Sequence, residues 1–135
     1  MILLDTVVLS ELRKTQPNPG VVAYLQAQAV GAVFLSALTL GEIEAGIERQ
    51  RGPNPVFASE LEQWLAVLEL QFAHCILPVT PLIAKLWGRL CVHTGNKGVD
   101  NLIAATALCH NLSVVTRNVK HFQPTGVRVF DPFSN

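Results

Sequence analysis

Five short apolar runs, ILLD (2–5), AVFLS (32–36), ILPVT with its strand at 76–79, SVVT (113–116) and VRVF (127–130), are spaced far apart along the chain. No two of them meet across a two-residue hairpin turn. This spacing limits the fold more than any other feature. Antiparallel neighbours can be joined by a tight turn, whereas parallel neighbours need a long crossover, usually helical. The pattern predicts a three-layer α/β/α domain whose central sheet is mostly parallel, with helices on both faces. VRVF, the last run, is the expected edge strand.

The intervening segments read as helices. TVVLSELRK follows the first strand, and PGVVAYLQAQA carries proline in its first turn, where the missing N–H costs nothing. Ser36 caps a helix running to about Arg49, ended by the breaker-rich RGPNP. A long helix over 56–73, a helix over PLIAKLWGRLCVH, the loop TGNKG (94–98) and a helix from VDNLIAATALCH into SVVT complete the chain.

A chain of 135 residues fits one domain, taken as 1–135, with a core large enough to need no staples. Half of the residues are hydrophobic and 15% are charged, which argues against disorder. No apolar run approaches the roughly 20 residues of a membrane span. MILLDTVVLSEL lacks a basic leader region and a small-residue cleavage site, and Asp5 and Glu11 interrupt it, so the expected location is the cytoplasm. Cys75, Cys91 and Cys109 form no CxxC pair and read as free, mostly buried thiols; His74, His93, His110 and His121 form no metal-ligating pair and read as surface or helix-end histidines. Ten basic residues balance ten acidic ones, so any contact with phosphate must be local rather than the work of an overall basic field.

In open parallel sheets, ligands sit outside the carboxyl ends of the strands near a topological switch point. Asp5 ends the first run, Thr116, Arg117 and Asn118 end SVVT, and Asp100 starts the helix leading into it. Glu42 enters through its helix. At about 100° per residue from Leu38, Glu42 falls at about 40°, while Glu44 and Glu48 fall at roughly 240° and 280°. Leu40, Ile43 and Ile47 lie between roughly 140° and 200° and face the core. Glu42 thus stands apart from its neighbouring glutamates, over Gly46, where a glycine suggests space or a close approach.

Carboxylates gathered in one cleft repel each other unless a cation compensates. A hard divalent ion such as Mg²⁺ or Mn²⁺ takes oxygen ligands and suits phosphodiester hydrolysis by a metal-activated water. Plainer roles stand beside this one. Asp5 and Asp100 are also placed to cap helices, and Glu42 also reads as a solvated helix glutamate. Thr6 and Thr116 either orient carboxylates or are ordinary strand-end residues. Arg117, Lys120 and Lys97 either meet phosphates or are solvated charges.

ILLDTVVLSELRK, FLSALTLGEIEAGIER, ILPVTPLIAKLWGRL and VDNLIAATALCHNLSVVTRNVKHF, in this order and spacing, resemble PIN-domain endoribonucleases, specifically the VapC-type toxins of type II toxin-antitoxin systems. The resemblance covers nearly the whole chain. It implies a PIN-like fold and Mg²⁺-dependent, sometimes Mn²⁺-dependent, cleavage of RNA, with Asp5, Glu42 and Asp100 coordinating the metal. It also implies a homodimer and a cognate antitoxin whose C-terminal segment lies along the active-site groove.

The chain departs from that family pattern at Val7, where asparagine is usual, at Asn118, where the fourth acid falls, and at His121, where many relatives have aspartate. Asn118 can still coordinate through its carbonyl or hold a water, so the expected site is a single ion on Asp5 and Asp100, with Glu42 reached directly or through water. The competing expectation is a catalytically weak PIN module that binds RNA or a partner without cutting it.

Overall fold

The computed structural model describes residues 1–133. Five parallel strands form one sheet: β1 (Ile2–Leu4), β2 (Val33–Ser36), β3 (Ile76–Leu77), β4 (Ser113–Val115) and β5 (Val129–Phe130), in the spatial order β3-β2-β1-β4-β5. The sheet is parallel throughout rather than mostly so. β1 is central, pairing Leu3 with Phe34 on one side and with Val114 on the other. Strands β2 and β3 are added on one side of β1 and β4 and β5 on the other, which makes the gap beyond the carboxyl ends of β1 and β4 the switch point.

Two cores follow from the two-residue period of the strands. Ile2, Leu4, Leu35 and Val115 face one way and pack with α1 (Thr6–Glu11), α2 (Pro19–Gln26), α3 (Ala37–Gln50) and α4 (Pro55–Gln71) through Val8, Val21, Ile47 and Leu65. Leu3 and Val114 face the other way and pack with α5 (Pro81–Thr94), α6 (Val99–His110) and α7 (Val119–Phe122) through Ile83, Ile103 and Phe122. On α6, the small side chains of Ala104, Ala105 and Ala107 are fully buried, so this helix lies close against the sheet.

Helix ends follow local chemistry. Asn18, Ser36, Asn54 and Thr80 accept backbone N–H bonds as N-caps of α2, α3, α4 and α5. Left-handed Gly95 and Asn111 close α5 and α6. β3 stops at Leu77, short of the expected residue 79, because Pro78 has no N–H to donate to the ladder. The helix expected over 56–73 spans Pro55–Gln71. Arg51 clasps α3 to α4, donating to Glu48 at 2.9 Å and to Glu62. Phe34, Phe72, Trp64 and Trp87 all pack partly buried against the two cores. The three cysteines are free but only half-buried. Among the described residues, no helix is long and apolar enough to cross a membrane.

Candidate active site

Asp5 stands one residue past β1 and is 5% exposed. Its backbone N–H donates to the Val115 carbonyl at 3.0 Å, extending the β1–β4 ladder to the switch point. Its side chain caps α1, Oδ1 accepting from the Thr6 N–H at 2.9 Å, so the capping role is real. Oδ2 accepts from the Thr116 hydroxyl at 2.8 Å. Thr116 is fully buried just past β4, and its Oγ1 also accepts from the Asn118 N–H at 2.9 Å.

The other two acids converge on the same edge. Glu42, exposed on α3, accepts through Oε1 from the Thr6 hydroxyl at 2.6 Å. Asp100 sits in the first turn of α6 with its side chain 29% exposed, and its Oδ2 lies 3.0 Å from His121 Nδ1. The charges of the other two acids reach Asp5. Burial pushes the Asp5 carboxyl above its ordinary range; the Thr116 and Thr6 hydrogen bonds pull it back; and the negative charges of Asp100 and Glu42 push it up again.

One expectation about the site needs correction. Asp100 caps no helix, because Gly98 holds the N-cap position of α6 and makes no side-chain bond there. Gly46 does leave space, since a Cβ there would meet nothing within 4 Å. His121 is exposed and stands at the end of α7, as expected, and it is also paired with Asp100. Val7 packs against the first core.

The basic candidates separate. Arg117 and Lys120 line one cavity of 310 Å³ with Asn118 and His121, whereas Lys97 lies outside it on the loop before Asp100. Arg117 is partly committed elsewhere: its guanidinium lies 3.9 Å over the Phe133 ring and its charge reaches Glu11. The Asn118 side chain makes no capping bond, which leaves its amide available at the rim. Buried Asn101 donates to Thr94 Oγ1 at 2.8 Å and to the Asn96 carbonyl, tying the Lys97 loop to α6. Sequence reasoning passed over Asn101, although a polar residue beside Asp100 on an otherwise apolar helix was a visible signal.

A second depression, of 170 Å³, runs from Thr6 and Glu42 over Gly46 to Phe57, Leu61 and Trp64. It forms an apolar strip leading away from the acids. The most apolar cavity, 280 Å³ between Leu12, Leu25, Val30 and Phe72, contains none of the acids and offers no comparable chemistry.

The donor set fits a hard divalent ion. Asp5, Glu42 and Asp100 offer only oxygens, and among the described residues no lysine or arginine forms an ion pair with any of them. Among the described residues, no three acidic, histidine or cysteine side chains already stand at ligating distance of one point. Holding an ion therefore requires side-chain rotation at the rim, and Glu42, the exposed member, can supply it while Asp5 stays fixed.

Comparisons with known proteins identify the family. A PIN-domain family model matches residues 2–125. The toxin FitB of Neisseria gonorrhoeae is 37% identical over 140 residues, covering 98% of this chain and 99% of the relative. A protein named VapC ribonuclease Y4jK, of Sinorhizobium fredii, is 31% identical over 98% of each chain. The crystal structure of FitAcB from Neisseria gonorrhoeae superposes with a TM-score of 0.83 at 36% identity, covering 100% of both chains.

Proposed function

The chain belongs to the PIN-domain family, alongside VapC and FitB toxins, and from that premise we propose that it is the toxin of a type II toxin-antitoxin pair, a metal-dependent endoribonuclease acting in the cytoplasm. The observation that carries this reading is the buried Asp5 carboxylate at the switch point, bonded to Thr116, pushed up by its burial and then by the charges of Asp100 and Glu42, with no lysine or arginine paired to it among the described residues. A buried carboxylate facing two more exposed acids costs folding free energy, and a bound cation would offset that cost.

Asp5, Asp100 and Glu42 would hold the ion, with Asn118 at the rim as a neutral oxygen donor. When bound, Mg²⁺ or Mn²⁺ would neutralise the carboxylates, draw in a phosphodiester oxygen and favour attack by water. The protein's own groups do the positioning. Thr116 and the Thr6 N–H fix Asp5, and the Thr6 hydroxyl holds Glu42. Lys120 and Arg117 line the adjoining cavity, where an RNA phosphate would find positive charge. The three acids supply at most three negative charges, which favours one ion over two.

The apolar strip through Phe57, Leu61 and Trp64 begins at Glu42 and suits an antitoxin segment that lies on the acids and anchors beside them. A solved toxin-antitoxin complex from Klebsiella pneumoniae, 25% identical to this chain, supports an antitoxin partner. A homodimer is part of the same reading.

The test is cleavage of structured RNA by the purified chain with Mg²⁺ or Mn²⁺, beside Asp5→Asn and Asp100→Asn. Loss of product in both variants, with far-UV spectra unchanged, is the expected result. Retained cleavage by both defeats the assignment. A second reading, an RNA- or antitoxin-binding module without turnover, draws on the neutral Asn118 and the absence of a preassembled ligand cluster among the described residues. RNA binding without product in either metal favours it.

A further inference from the structure

If Asp100 holds an ion, as proposed above, the residue bonded to it acquires a task. We infer that His121 is the positioning residue for Asp100. Its Nδ1 lies 3.0 Å from Oδ2, and an N–H there donates to the carboxylate, leaving Oδ1 as the oxygen for the cation.

The support for His121 is built into the fold. It rides on α7, a single turn whose Phe122 is fully buried in the second core. The His121 N–H donates to the Asn118 carbonyl at 3.0 Å, and the Thr125 hydroxyl donates to the Phe122 carbonyl at 2.5 Å. The imidazole is therefore held against the first turn of α6 by elements fixed at both ends.

Stability does not account for the pair. The two side chains are 60% and 29% exposed, and an ion pair so solvated contributes little to folding. Orientation is what remains. A free aspartate samples several rotamers, and a donor on one oxygen selects among them before any ion arrives. Carboxylates that ligate metals are commonly held in this way by a hydrogen-bonding partner.

Charge explains why a histidine serves here. Asp5 and Asp100 already repel each other, as the upward push of Asp100 on the Asp5 carboxyl shows, and another acid at position 121 would add to that repulsion. An imidazole N–H fixes Asp100 without adding negative charge.

Calorimetry with Mn²⁺ alone on the purified full-length chain, wild type beside His121→Asn, His121→Gln and His121→Ala, tests this. An asparagine amide nitrogen falls near the place of Nδ1, whereas a glutamine amide reaches toward that of Nε2. The Mn²⁺ Kd should rise roughly 10- to 100-fold in His121→Ala and His121→Gln and stay within about threefold in His121→Asn. Melting temperatures without added metal should match in all four proteins. Wild-type affinity in His121→Ala, or His121→Asn as weak as His121→Ala, overturns the inference and leaves the nuclease reading standing. No Mn²⁺ binding by the wild type overturns both.

Discussion

Thr116 donates its hydroxyl proton to Asp5 Oδ2 across 2.8 Å, joining residues 111 positions apart at the ends of β4 and β1. The same oxygen accepts the Asn118 N–H, so one buried hydroxyl secures both the central acid and the loop that follows β4.

Replacing Thr116 with valine keeps the shape and removes both bonds. The Asp5 carboxylate and the Asn118 N–H then lose partners, a loss expected to cost roughly 1–3 kcal/mol. Thr116→Ser should recover most of it. Urea unfolding at pH 7 checks this, and a valine variant as stable as wild type contradicts it.

Asp5→Asn should make the protein more stable at neutral pH. The folded Asp5 carboxyl is raised, chiefly by burial, so it binds its proton more tightly folded than unfolded. Stability is then greatest below the unfolded value of about 3.9 and is lost as pH rises through the folded one. The amide variant escapes that loss. Its advantage should grow with pH across this window and vanish below it, as read from urea midpoints. A pH-independent difference rules the explanation out.

Glu11 behaves in the opposite sense. It ties the end of α1 to the start of α2, accepting from the Asn18 N–H at 2.8 Å and pairing with Lys14 at 2.9 Å. Those contacts, the Lys14 hydrogen bond first, hold its carboxyl below the ordinary range. A lowered folded value means stability that is present above the unfolded value and lost as pH falls through the folded one. Glu11→Gln should therefore melt lower than wild type at pH 7, with the gap closing in acid. A gap that widens as pH falls would overturn this assignment.

Saturating Mg²⁺ or Mn²⁺ should raise the melting temperature of the wild type, since an ion that binds only the folded state at a hundred times its Kd stabilises by about 2.7 kcal/mol. Asp5→Asn and Asp100→Asn should lose most of that rise. Differential scanning fluorimetry decides it, and equal shifts in all three proteins would place the ion elsewhere.

Much of the architecture could be read before any coordinates. Each apolar run became a strand, and Ile43 and Ile47 face the core while Glu42 turns away from it, because these features depend on backbone periods of 2.0 and 3.6 residues. Where local chemistry was misjudged, the errors were local too. Asp100 looked like a cap because aspartate often is one, yet α6 begins two residues earlier, on a glycine.

Sequence alone therefore determined which segments are strands and helices, which faces are buried, and, through the PIN-domain resemblance, which acids to propose for the site. Only the tertiary structure decided that β1 lies between β2 and β4, that Thr116 reaches Asp5, and that His121 meets Asp100. Secondary structure is written by neighbours a few residues apart, whereas these pairings come from the packing of helices on both faces of the sheet. No spacing within a single segment encodes where a residue more than a hundred positions away will come to rest.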